Sequence, residues 1–250
     1  MFLINPKHIL RLYQIELITF AFLLPIYRKV IPYVIAVLVI TWVLEGDFAV
    51  KIKRVVSSSH RFNTLLFTGL YILYIIGLAY SENLVYGFFD LEVKMSLFIF
   101  PVIFATIRDD VLSPMITRKV LIAFVIGVFT SMVLCYSAAI YSYVQNGLIE
   151  TFYYSNLSVF IHPSYLAMYV CFAIAILLYF NIRSWFHSRK MKIISVVLIM
   201  LFQLFVVMLS SKAGILGLAM VIALYASYMV FSEKQYLGGI ISGGVLTMSF

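Results

Sequence analysis

The chain has 250 residues, of which 64% are hydrophobic and 11% charged, and its mean hydropathy is +1.07. A soluble domain of this length cannot bury so much apolar surface, and the strict alternation of a membrane barrel is absent, so the composition implies a polytopic bundle of membrane helices. The net charge of +8 lies in the breaks between apolar runs, which argues for membrane topology rather than nucleic-acid binding.

In chain order, apolar runs predict spans near 15 to 27, 30 to 44, 64 to 80, 95 to 107, 120 to 144, 164 to 182, 193 to 209, 214 to 231 and from 237 onward. The first run follows Lys7 and Arg11 in the manner of a signal peptide. No small-residue cleavage site follows it, and Arg28 and Lys29 come next, so it reads as a retained span. The first, second and fourth runs are short for a crossing and contain Pro25, Pro32 and Pro101, where irregular backbone is tolerated only under a cover of protein. The polar stretch from Glu45 to Asn63 reads as a loop. Cys135 and Cys171 fall inside predicted spans, where a thiol acts as a small apolar side chain. No repeat or low-complexity tract appears, and residues 1–250 read as a single transmembrane domain. The final run stops at Phe250, short of a crossing, which suggests the N-terminal part of a longer protein.

Placing the N-terminus in the cytoplasm puts 14 of the 18 basic residues in inner loops and leaves Arg28, Lys29, Lys94 and Lys212 outside. Lys94, His162 and Lys212 then share the outer face although they come from three regions of the sequence.

Two outer loops and one helical turn carry the candidate chemistry. The loop from Ser81 to Lys94 holds Glu82, Asp90 and Glu92 beside Lys94, either a self-neutralising turn or a cation at a helix mouth. The loop from Gln145 to Pro163 offers Tyr153, Tyr154, Asn156 and Ser158 ahead of His162, and Pro163 suits the start of a helix. Its tyrosines fit an interfacial belt or a surface for sugar rings. The turn Ser210-Ser211-Lys212-Ala213-Gly214 interrupts an apolar stretch and sets one cation where two membrane helices meet, a position that is costly toward lipid and useful toward phosphate. No metal-ligand spacing, nucleophile elbow or phosphate-binding glycine loop is present. Glu16 and Gln203 are the clearest polar residues within spans, too few to indicate an ion-coupled transport path.

Three segments, GLAYSENLVYGFFDLEVKMSLFIFPVIFA, HPSYLAMYV and LSSKAGILGLAMVIALY, together resemble stretches of the bacterial O-antigen ligase and polymerase family, in that family's order. The resemblance covers roughly residues 64 to 231. It implies a GT-C-like, metal-independent glycosyltransferase of the inner membrane that takes a glycan from undecaprenyl diphosphate, with no cofactor. The acceptor it implies is lipid A core for a ligase, or another carrier-linked repeat for a polymerase. A non-catalytic protein that binds or moves the carrier lipid stays open. In the family pattern an arginine stands where this chain has Lys212, beside Ser211, and a compact ammonium replaces a planar two-pronged fork. The resemblance therefore assigns substrate binding to Lys212 and Ser211, with Lys94 and His162 as further contacts, and leaves the catalytic base unassigned. The family's large periplasmic loop would follow the point where this sequence stops.

Overall fold

The computed structural model describes residues 6–57, 61–108, 110–186 and 188–233. The expected ninth span and Lys234 lie outside the described residues. All regular structure among them is helical. Four helices, Pro114–Asn146, Pro163–Ile182, Arg189–Met208 and Lys212–Phe231, are long and apolar enough to cross a membrane. The count rises to five if Arg28–Glu45 and Phe48–Val55, which meet at 109°, form one broken span.

The chain divides into two compact units, Met1–Leu17 with Pro32–Arg118 and Ile18–Ile31 with Lys119–Phe250. The first is built from most of α1 (Pro6–Leu23), then α2 (Ile31–Glu45), α3 (Phe48–Ser57), α4 (Arg61–Leu78), α5 (Leu84–Lys94) and α6 (Ser96–Thr106). Helix α1 starts at Pro6, well before the expected residue 15. The stretch read as a loop after Glu45 contains helix α3 instead. Gly46 and Asp47, with φ of 69° and 49°, turn the chain from α2 into α3, and both are residue types that accept the left-handed region. The charges of Lys51, Lys53 and Arg54 disguised α3, because a helix that wraps polar and apolar faces lacks a continuous apolar run. Helix α5 likewise forms inside the expected outer loop, capped by Asn83, whose side chain accepts from the Tyr86 N–H at 3.0 Å. Helices α4 and α6 pack together through Tyr71 and Phe98, with ring centroids 5.8 Å apart. The remaining face of α4 leaves Leu65, Leu66, Leu70, Leu73 and Ile76 exposed, as suits a lipid solvent.

The second unit contains most of α7 (Pro114–Asn146), the short α8 (Tyr154–Leu157), α9 (Pro163–Ile182), α10 (Arg189–Met208) and α11 (Lys212–Glu233). With 33 residues, α7 extends for about 50 Å. Helix α9 is the central element and packs against both α10 and α11. Leu166, Val170, Ile174, Leu177 and Phe180 are buried along it, leaving only a narrow stripe of Tyr165, Met168, Phe172 and Tyr179 exposed. Small residues let α11 approach closely. A Cβ on Gly214 would lie 2.5 Å from the Cβ of Ala167, and Cys171 Sγ donates to the Gly214 carbonyl at 3.4 Å. Near the other end of α9, Asn181 Nδ2 donates to Ser195 Oγ of α10 at 2.9 Å, so a part-buried polar pair pins that contact.

Candidate functional site

The α10–α11 connection is as short as a helical hairpin allows. Helix α10 ends at Met208, Leu209 is fully buried, and Ser210 takes the left-handed conformation (φ 47°) that usually falls to glycine at a helix C-terminus. Ser211 then caps α11. Its Oγ accepts the Gly214 N–H at 3.3 Å, while its carbonyl accepts from the Ile215 N–H at 2.9 Å. The same Oγ donates to Ser164 Oγ at 3.1 Å.

Ser164 belongs to the first turn of α9, behind Pro163 and the cap residue His162, whose Nδ1 accepts the Ser164 N–H at 3.3 Å. The Ser211–Ser164 bond therefore ties together the N-terminal ends of two long helices. Each end carries the partial positive charge of unsatisfied N–H groups, so the junction favours an anion. Lys212, the first residue of α11, adds a full charge there. It is exposed, with no hydrogen-bond or ion-pair partner among the described residues.

Ser164, Ser210, Ser211, Lys212 and Ala213 line a cleft of about 450 Å³ together with Tyr154. Tyr154 reaches it from α8, where it has a φ of 50°, and the segment is held by the fully buried Leu157 and by Ser158 Oγ donating to the Ile161 carbonyl. Asn156 Nδ2 donates to the Glu150 carbonyl at 3.2 Å, an arrangement internal to the loop. The lining combines hydroxyls, one cation and one aromatic ring.

Of the four residues assigned by sequence, Lys212 and Ser211 line the cleft. Ser211 is 2% exposed and engaged on both sides, so its Oγ serves to position the two helix ends. His162 stands two residues from Ser164, with its ring edge-on to Tyr165 at 6.0 Å. Its Nδ1 acts as a helix cap, which leaves Nε2 as the atom available to a ligand. Lys94 belongs to the other unit. It pairs with Asp90 one turn earlier on α5 and stands 4.1 Å from the centre of the Tyr74 ring. The hydrogen bond to Asp90 raises its pKa above the ordinary lysine value. Lys94 thus meets Asp90 within its own helix and the Tyr74 ring of α4.

Sequence reading named Tyr154 among the outer-loop aromatics without placing it beside Lys212, and it did not single out Ser164. Their approach to Ser211 and Lys212 depends on how α9 packs on α11, a contact 47 positions apart for the serine pair. Among the described residues no group of three or more His, Cys, Asp and Glu side chains is arranged to hold a metal. No family model, curated protein or solved structure matches this chain.

Proposed function

We propose that this chain is a transferase of lipid-linked glycans resembling the O-antigen ligases, with the cleft at the α9 and α11 N-termini holding the diphosphate of an undecaprenyl carrier. The observation that carries the reading is Lys212. It is a cation without a partner among the described residues, at the positive end of a helix and beside a second such end, and it lines a cleft. Under this reading the chain sits in the bacterial inner membrane with its N-terminus in the cytoplasm, crosses up to nine times in a GT-C-like arrangement, and opens the cleft to the periplasm.

In the proposed chemistry, Lys212 and the helix ends stabilise negative charge on the departing diphosphate, and the acceptor is lipid A core or a second carrier-linked glycan. The hydroxyls of Ser164 and Ser210 orient phosphate oxygens. Activation of the acceptor hydroxyl requires a base, and the described residues that line the cleft include no carboxylate or imidazole. That observation favours a second reading, a protein that binds or moves the carrier lipid without transferring its glycan.

The test is Lys212→Ala in the full protein. Glycan transfer in cells should be lost while the amount in the membrane is unchanged, and binding of undecaprenyl diphosphate by the purified variant should fall about tenfold or more. Unchanged transfer and unchanged binding together would remove Lys212 from the site. A wild type that moves a labelled carrier across vesicles without altering its headgroup, with binding lost in Lys212→Ala, would select the second reading.

A further inference from the structure

The first unit contains a buried polar cluster that the proposed transfer does not use. Helix α1 contributes Tyr13 and Glu16, one turn apart, and α2 contributes Thr41 and Glu45, again one turn apart. The helices are laced by two rungs: the Tyr13 hydroxyl donates to Glu45 Oε2 at 3.0 Å, and Thr41 Oγ1 donates to Glu16 Oε1. Lys51 of α3 donates to Glu45 Oε2 at 2.9 Å and to the Trp42 carbonyl. All five side chains are buried.

The two carboxylates differ in what balances them. Glu45 has the Lys51 ammonium and the Tyr13 hydroxyl. Glu16 is 8% exposed, its only hydrogen bond is the neutral one from Thr41, and its Oε2 has no partner. Further charges lie nearby. Asp47 at the α2–α3 turn is an acid and Arg54 on α3 a base, with Arg54 donating to the Thr106 carbonyl at 2.8 Å. Lys7 and Arg11, the other charges on α1, are exposed. Within the buried cluster itself, two carboxylates, Glu16 and Glu45, stand against one ammonium, Lys51. A buried carboxylate lacking a countercharge costs several kcal/mol, and that cost disappears when one positive charge joins it.

We propose that the bare Oε2 of Glu16 marks a binding site for one monovalent cation between α1 and α2, either a proton or a sodium ion. A single excess charge fits a monovalent ion, and carboxylate and hydroxyl oxygens suit a hard one. The site lies one helical turn from the α2–α3 break at Gly46 and Asp47, and broken membrane helices are where such ions are commonly held.

The experiment is thermal unfolding of the purified full chain in detergent, along two series. One varies pH without sodium, in choline chloride. The other varies sodium at fixed pH, with choline holding ionic strength constant. An ion that binds only the folded state raises the midpoint with its concentration. The wild type should respond to one of the two ions, with one bound per chain. Glu16→Gln, a neutral isostere of the occupied site, should lose that response while keeping the background pH dependence of Glu45, Asp47 and the surface groups. A response to acid assigns the proton, and a response to sodium assigns the metal ion. Thr41→Val, which preserves the carboxylate and removes its one donor, should displace the half-saturating concentration by about tenfold. A wild type indifferent to both ions overturns the site. So does a Glu16→Gln variant with the full wild-type response, or, where that variant fails to fold, a Thr41→Val response that is not displaced.

Discussion

Two lysines, one in each unit, occupy opposite ends of helices and lead opposite lives. Lys51 is 3% exposed and caps the C-terminal end of α2 through the Trp42 carbonyl while it neutralises Glu45. Lys212 is exposed at the N-terminal end of α11, without a partner among the described residues. A cation at a helix C-terminus meets the negative end of the dipole and stabilises the fold, whereas a cation at an N-terminus meets the positive end and opposes it. Folding accounts for Lys51 completely. It does not account for Lys212, and a residue placed against the local field is better explained by a ligand that reverses the field's sign.

The largest expected effect falls on the buried lysine. Lys51→Ala leaves Glu45 buried with only the Tyr13 hydroxyl and uncovers the Trp42 carbonyl, so unfolding should become easier by about 3–5 kcal/mol. Thermal or denaturant unfolding in detergent measures this. A loss below about 1 kcal/mol would mean that water reaches Glu45 and would erase the contrast between the two lysines. Lys51→Met is the informative companion. It restores volume without charge, so a similar loss identifies the stranded carboxylate, rather than lost packing, as the cause.

A smaller loss is expected at the helix contact beneath the cleft. In Gly214→Ala the added methyl overlaps the Cβ of Ala167, so α11 must move away from α9 at a cost of about 1–3 kcal/mol. The same displacement pulls Ser211 from Ser164, so binding of undecaprenyl diphosphate should weaken along with stability. A stable variant with full binding would show that the meeting of the two helix ends is not what builds the site. Gly217→Ala separates the effects: its Cβ would meet Cys171 Sγ at an ordinary 3.5 Å, so it should leave both properties nearly unchanged.

These outcomes bear on what a linear sequence can disclose. Helices α7, α9, α10 and α11 were legible because lipid selects long apolar runs, with Arg118–Lys119 near the start of α7 and the breaks at Arg183–Lys192 and Ser210–Lys212 marking their ends visibly. Helices α3 and α5 were not, since Lys51 is satisfied by Glu45 across the α2–α3 turn, Arg54 by the distant Thr106 carbonyl and Lys94 by a neighbour one turn away. The turn that holds Lys212 was visible as a polar island. Its partner Ser164 was not, because a serine one step inside a helix signals nothing until another helix end is set against it. The pairing of Glu16 with Thr41 was hidden for the same reason. A lone acid in an apolar run is ambiguous between a rim position and a buried one, and only the packing of α1 on α2 buries it.

A small expected change in stability, of the opposite sign, belongs to the residue with the largest expected change in function. Lys212→Ala removes an exposed charge that opposes the α11 dipole, so the protein should unfold no more easily than the wild type, and by helix-terminus energetics about 0.3–1 kcal/mol less easily at low salt. Raising the salt concentration should shrink that difference, because the interaction is solvent-screened. Ser211→Ala provides the opposite sign from the adjacent position: it uncaps α11 and breaks the tie to Ser164, and should cost about 1 kcal/mol. If Lys212→Ala instead destabilised the fold as much as Ser211→Ala, the lysine would be a structural residue with an unseen intramolecular partner. A stable Lys212→Ala protein that no longer binds diphosphate would mean that the chain accepts a local electrostatic penalty in exchange for an anion, the behaviour expected of a binding site and not of a scaffold.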